Sequence, residues 1–142
     1  MVKYLNKQSR VEIISAIRRA EHKTSGEIRV HVRHKCKEDV LEEARKIFHR
    51  LRMHKTKHKN AVLIYVALDS RQFAILGDRG IHEKVGDLFW NETRDKMRAL
   101  FAEGRIWGAI IAGVMDAGQK LKVFFPAKKG NKNELPDTLT KD

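Results

Sequence analysis

One stretch limits the possible folds more than any other. Residues 61–68, AVLIYVAL, form an unbroken apolar run rich in β-branched and aromatic side chains. A strand with one wet face alternates polar and apolar positions, so a continuous run predicts a strand covered on both faces. The chain must therefore supply a layer on either side of a sheet. Asp69-Ser70-Arg71 is turn chemistry, and residues 72–76 return as the second arm of a hairpin. Arg71 beside Asp69 reads as a turn-stabilising pair. Gly77-Asp78-Arg79-Gly80 then reads as a polar loop leaving the sheet, two glycines around a charged pair.

The flanking segments supply the layers. Ser9-Arg10-Val11-Glu12 has capping-box spacing and predicts the start of a first helix, with Val11, Ile14, Ile17 and Ala20 facing inward. Thr24-Ser25-Gly26 ends it. Over residues 27–32, Ile28, Val30 and Val32 alternate with Glu27, Arg29 and His31, which predicts a strand whose charged side is the wetter one. Asp39 is the expected N-cap of a second helix over residues 40–53, with Leu41, Ala44, Phe48 and Leu51 inward. A third helix is expected over residues 87–103, carrying Phe89, Met97 and Phe101 and ended by Gly104. A fourth is expected over 107–122, where Gly108, Ala109, Ala112, Gly113 and Ala117 suggest close packing on the sheet. Trp90 and Trp107 each adjoin an apolar stripe and are assigned to the core. The chain then turns polar, so one domain over residues 1–126 and a loosely ordered tail over 127–142 are expected.

The predicted order is α-β-α-β-β-α-α. Strand–helix–strand implies a right-handed crossover with the first two strands parallel. The hairpin makes the third antiparallel. The expected fold is a three-layer α/β/α domain with a small mixed sheet. This topology has a consequence for function. The first two strands begin at the edge where the third finishes. Ser25-Gly26-Glu27, Lys59-Asn60 and Gly77-Asp78-Arg79-Gly80, far apart in sequence, should converge there as one crevice.

The motifs just described resemble the TPM domain, found in thylakoid-lumen, photosystem-II-associated and acetylcholine-receptor-modulating proteins. The resemblance rests on the order and spacing of Ser25-Gly26-Glu27, Asn60-Ala61, Asp69-Ser70-Arg71 and Gly77-Asp78-Arg79-Gly80-Ile81, and covers about residues 9–126. It implies divalent-metal binding and carries the possibility of phosphatase activity. The residue types in the crevice point the same way. Glu27, Asn60, Asp78 and Glu83 supply carboxylate and amide oxygens, Gly77 and Gly80 can turn carbonyls inward, and hard cations take oxygen ligands. Ca²⁺ is the favoured ion, Mg²⁺ the next. Arg79, Lys57 and Lys59 oppose a cation unless they face away. The primary expectation is a metal-binding module, which would bind a protein partner or a phosphorylated small molecule. The alternative is a metal-assisted acid phosphatase acting on phosphomonoesters.

Charge raises a third possibility. The chain has a net charge of +12, which suits anionic partners such as nucleic acid, anionic lipid or phosphorylated small molecules. Arg45, Arg50, Arg52, Lys55, Lys57 and Lys59 concentrate it, and such a patch could contact phosphates nonspecifically. No aromatic platform accompanies them, because Phe48 belongs to the inward stripe, so nucleic-acid base stacking finds no support. The residues equally suit a solvated helix face.

Other chemistries are excluded by pattern. His54 and His58 are four apart, but Lys-Thr-Lys lies between them and supplies no glutamate base, so zinc is not expected. Neither a phosphate-binding P-loop nor a Gly-x-Gly-x-x-Gly segment is present, so no nucleotide cofactor is expected. Cys36 has Glu42 six positions on, where a phosphatase loop needs arginine, and reads as an inert thiol. As the only cysteine it allows no intramolecular disulfide. Met1 to Ser9 contains no apolar leader core. The longest late apolar run, residues 106–115, is broken by Gly108 and Gly113 and falls short of the about 20 residues a spanning helix needs. A stand-alone cytoplasmic domain is the resulting expectation, unlike the many exported or anchored members of the family.

Overall fold

A computed structural model of the chain describes residues 6–86, 88–127 and 139–141. The described elements run α1 (Lys7–Glu21), β1 (Glu27–Arg33), α2 (Val40–Arg50), β2 (Ala61–Ala67), β3 (Gln72–Gly77), α3 (Arg79–Val85), α4 (Asn91–Ala102), α5 (Ile106–Phe124) and β4 (Leu139–Lys141), with a 3₁₀ turn at Met53–Lys55. The sheet order is β3-β2-β1-β4. β1 and β2 are parallel, with Glu27 opposite Ala61, and β2 and β3 are antiparallel. The three-layer, mixed-sheet architecture expected from the apolar run is therefore present.

Both faces of β2 are covered, as the run requires. Val62, Ile64 and Val66 join Ile13, Ile17, Ile110, Val114 and Leu121 in a core on the α1–α5 side. Ala61, Leu63, Tyr65 and Ala67 join Ala44, Ile47, Phe48 and Met53 on the α2 side. All seven residues of β2 are buried. The register puts Glu27, Arg29 and His31 on the α2 side too, and there the expectation of a wetter face fails. They are 3%, 5% and 1% exposed. Alternation marked the two faces of β1 correctly but could not show what covers them. His31 stacks on Tyr65 and meets Thr140 Oγ1 of β4 at 2.7 Å. Burial pulls Arg29 below the ordinary guanidinium range, against the opposing pull of Glu21 and Glu27.

β4 is the second correction. Leu139 is buried and pairs with Val30, so the end of the segment read as a tail adds a parallel strand beside β1. Residues 128–138, the rest of that expectation, and Asp87, the expected start of the third helix, lie outside the described residues.

Helix boundaries shift for local reasons. Asn6, not Ser9, caps α1, accepting from the Ser9 amide at 2.8 Å. One turn is thereby added, and the inward stripe becomes Ile13, Ala16, Ile17 and Ala20, while Val11 is 54% exposed. Asp39 caps α2 as expected, accepting from the Leu41 and Glu42 amides. α2 stops at Arg50, and Arg52 takes φ 60 ahead of the 3₁₀ turn. Ala117 lies in the core that α5 shares with the sheet, whereas Gly113 and Gly118 serve contacts with neighbouring helices. A Cβ on Gly113 would lie 2.5 Å from Met97 Sδ of α4, and one on Gly118 would lie 2.7 Å from Ala20 Cβ of α1. Trp90 is in the core, 6% exposed, and Trp107 packs against the core's edge.

Candidate functional site

Three backbone segments do meet at the amino-terminal end of β1 and β2. Asn60, 1% exposed, donates from Nδ2 to Ser25 Oγ at 3.2 Å. The Asp78 amide donates to Ala61 O at 2.9 Å, and the Gly80 amide to Lys59 O at 2.8 Å. The closeness is steric as well as polar. A Cβ on Gly26 would stand 3.0 Å from Asn60 O, and one on Gly80 would stand 2.4 Å from His58 O and 2.5 Å from Lys59 O. Only glycine allows this approach at residue 80. The reason is space, since its φ is not positive, and neither is that of Gly77. A Cβ on Gly77 would press on Trp90 Nε1 at 3.2 Å.

Each segment is held from outside the crevice. Thr24 Oγ1 donates to Phe125 O, and the Ser25 amide donates to the same carbonyl at 2.8 Å, so the end of α5 straps the α1–β1 connection. Gly26 N in turn donates to Thr24 Oγ1 at 3.0 Å. Lys59, at φ 52, sends Nζ to His54 O at 2.6 Å. The third segment is not a loop. Asp78 is the N-cap of α3, with Oδ1 accepting from the Arg79 amide at 2.8 Å. Extended strand, Asp, then helix is an N-cap signal that the two glycines obscured.

The polar inventory of this end is unusual. Asp78 Oδ2 is buried with no hydrogen-bond partner, and so are His54 Nδ1 and Thr56 Oγ1 on the neighbouring connection. Buried polar atoms are normally paired, so each orphan marks a place for water, an ion or a ligand. His54 lies within the field of Asp78. Burial holds its pKa below the ordinary imidazole value, helped by His49 and Lys55 and opposed by Asp78. The rings of His49 and His54 are 4.4 Å apart. Sequence reasoning missed His54 as a neighbour of this site, because nothing local in the sequence shows that its connection folds against the start of α3.

The predicted ligand set is brought together in part. Asn60 and Asp78 reach the junction. Glu27 begins β1 there, buried on the α2 side. Glu83 is exposed, two residues past the inward-facing Ile81 and so on the outer side of α3. Among the described residues no three of His, Cys, Asp and Glu cluster closely enough to hold a metal ion by themselves. Arg79 is exposed beside the crevice. Within the basic stretch, Arg45 pairs with Glu42, and Arg52 and Lys55 are exposed. Arg50 and Lys57 are both engaged in further interactions.

The opposite end of the same strands holds a different carboxylate. Glu43 of α2, 4% exposed, accepts from Arg33 Nη1 at 3.0 Å, Tyr65 Oη at 2.7 Å, and the Lys37 and Glu38 amides at 2.6 and 2.9 Å. Burial alone would raise its pKa. The four donors outweigh burial and hold it at about 2. Tyr65 is pushed up by burial and by Glu43, so its phenol stays protonated and donates. Cys36 Sγ lies 2.8 Å from Glu38 O, and burial and Glu43 raise its pKa, in keeping with an inert thiol. Asp69 pairs with His34 at 3.2 Å rather than with Arg71, which replaces the expected turn pair.

A three-layer domain with a mixed sheet and a crevice where two parallel strands begin defines the class. The TPM domain model matches residues 1–120, and the chain belongs to that family. The NMR structure of the BA42 protein from the psychrophilic bacterium Bizionia argentinensis is similar. It is 41% identical, with a TM-score of 0.94, over 100% of this chain and 98% of that one. No curated protein matches the chain. No described helix is long and apolar enough to cross a membrane.

Proposed function

We propose that the crevice binds a divalent cation, Ca²⁺ in preference to Mg²⁺, and that the domain acts as a metal-binding module. The observation that carries this reading is the buried, unpartnered Asp78 Oδ2 at the junction of three segments. A buried carboxylate oxygen without a donor is costly, and a cation relieves it. The donor chemistry fits a hard ion. Asp78 Oδ2 and the His58 carbonyl would be the protein's ligands, with the Asn60 amide and Glu27 nearby and water completing the shell. The ion would supply Lewis acidity at this point. The protein's own part is to hold Asp78 by its N-cap bond and to tie Lys59 Nζ to the His54 carbonyl. Glu83 is outside the proposed shell.

A second reading rests on exposed Arg79 beside Asp78. A phosphomonoester reaching the cation could be met by this guanidinium, so metal-assisted phosphatase activity is the chemistry that extends the first reading. The basic stretch as a nucleic-acid or general anion surface gains less, because Arg45 is paired with a neighbour and Lys59 is tied to backbone. We take the site of action to be cytoplasmic, because a lone cysteine suits a reducing compartment.

The test is a titration of Ca²⁺ and Mg²⁺ followed by backbone amide shifts. Binding is expected to move residues 25–27, 56–60 and 77–80, and Asp78→Ala should abolish it. Saturable binding that survives Asp78→Ala would overturn the assignment. Turnover of p-nitrophenyl phosphate that depends on the metal and on Asp78 supports the second reading, and its absence removes it while leaving the first intact.

A further inference from the structure

A cavity lies between the hairpin tip and the α4–α5 connection, at the end of β2 remote from the crevice. Its volume is about 590 Å³, within the range of small-molecule sites. The floor is apolar, formed by Val66, Leu68, Phe73, Phe101 and Ile106. Phe73 and Phe101 are paired there, ring centres 5.1 Å apart. Among the described residues its charged lining is of one sign, Arg71 and Arg98, with no carboxylate. The two arginines come from different elements. Arg71 closes the hairpin turn at φ 53 and makes no ion pair among the described residues. Arg98 pairs with Asp95 at 3.1 Å, but both side chains are more than 60% exposed, so water screens the pair and leaves the guanidinium available. The first turn of α5 opens at the same cavity. Its cap residue, Arg105, makes no side-chain capping bond and lies 3.9 Å from the exposed Glu103 carboxylate.

An apolar floor with two arginines in its lining fits one ligand chemistry. We propose that this cavity binds a small amphipathic carboxylate, with its chain or ring against Phe73 and Phe101 and its carboxylate between Arg71 and Arg98. The planar fork of arginine matches a carboxylate in two-point contact. The position agrees with the general tendency of α/β sheets to bind ligands beyond the carboxyl ends of parallel strands. The ligand is anionic and the site contains no oxygen cluster, so it is independent of the proposed cation site.

Octanoate is a suitable probe, with octanamide as the uncharged equivalent and acetate as the charge without the body. Amide shifts should report saturable octanoate binding at millimolar concentrations or below. The shifts should be confined to residues 66–73 and 98–106. Octanamide and acetate should each bind at least about tenfold more weakly. Arg71→Ala and Arg98→Ala replace exposed side chains, and each should weaken octanoate about tenfold without unfolding the protein. Ala102→Trp, at an exposed position on the cavity wall, should block binding altogether. Equal binding of octanoate and octanamide would overturn the proposal, as would shifts spread over the surface, no saturable shift up to about 10 mM, or octanoate binding unchanged in Ala102→Trp.

Discussion

Glu43 and Asp78 are two carboxylates at opposite ends of the same pair of parallel strands, and they are treated in opposite ways. Glu43 receives four donors and sits at a pKa of about 2. Asp78 receives one backbone donor on Oδ1, while Oδ2 is buried and unpartnered. A saturated carboxylate has no valence left for a ligand and acts as a structural tie. It fastens α2, its preceding loop, β1 and β2 to one another. An unsaturated one costs stability until something arrives. The difference separates the end that holds the sheet together from the end where we propose that a cation binds.

The largest test of this contrast is Glu43→Ala. It strands the Tyr65 hydroxyl, the Arg33 guanidinium and two amides, and should cost about 3–5 kcal/mol, read as a lower urea midpoint at unchanged slope. A loss under about 1 kcal/mol would mean that the network is not a tie. The same group sets an acid limit. Its folded pKa is depressed, so its stabilisation is present above the unfolded value of 4.5 and is lost as pH falls toward about 2. The shift corresponds to roughly 3 kcal/mol. Stability measured from pH 6 to pH 2 should fall by about this amount in the native chain, and that component should vanish in Glu43→Gln.

A smaller effect is expected at the junction. Gly80→Ala drives a methyl into the His58 and Lys59 carbonyls and should cost about 1–3 kcal/mol, displacing the α3 start from the crevice. If thermal unfolding of this variant matches the native chain, the close approach is not real. Least of all should change in Asp78→Asn without metal. Asparagine caps helices as well as aspartate does, and no ion pair of Asp78 is lost, so stability should move by less than about 1 kcal/mol. A large loss would place Asp78 with Glu43 as a structural group and collapse the contrast.

The sequence made much of this frame legible, and the reasons are physical. The run at residues 61–68 demanded two covering layers, and the hairpin and crossover then fixed which ends converge. Asp39 was readable as a cap because its bonds are local. Glu43 was not recognised, yet position 43 lies on the same helical stripe as Ala44 and Ile47, so its burial had a periodic signal that its charge masked. Burial of Glu27, Arg29 and His31 had no such signal, because what flanks β1, β4 included, comes from distant parts of the chain. Leu139–Lys141 is too short and too polar for a strand pattern, and it is a strand only because β1 offers an edge. The packing of His58 and Lys59 against the start of α3 joins segments distant in sequence, which no spacing rule encodes.

The most direct measurement of the central claim is the effect of Ca²⁺ on thermal unfolding, compared across the native chain, Glu43→Gln and Asp78→Asn. A ligand that binds only the folded state raises the midpoint in proportion to its occupancy. The account predicts a Ca²⁺-dependent rise in the native chain and in Glu43→Gln, and none in Asp78→Asn. An equal rise in Asp78→Asn, or no rise in any of the three at millimolar Ca²⁺, would contradict it.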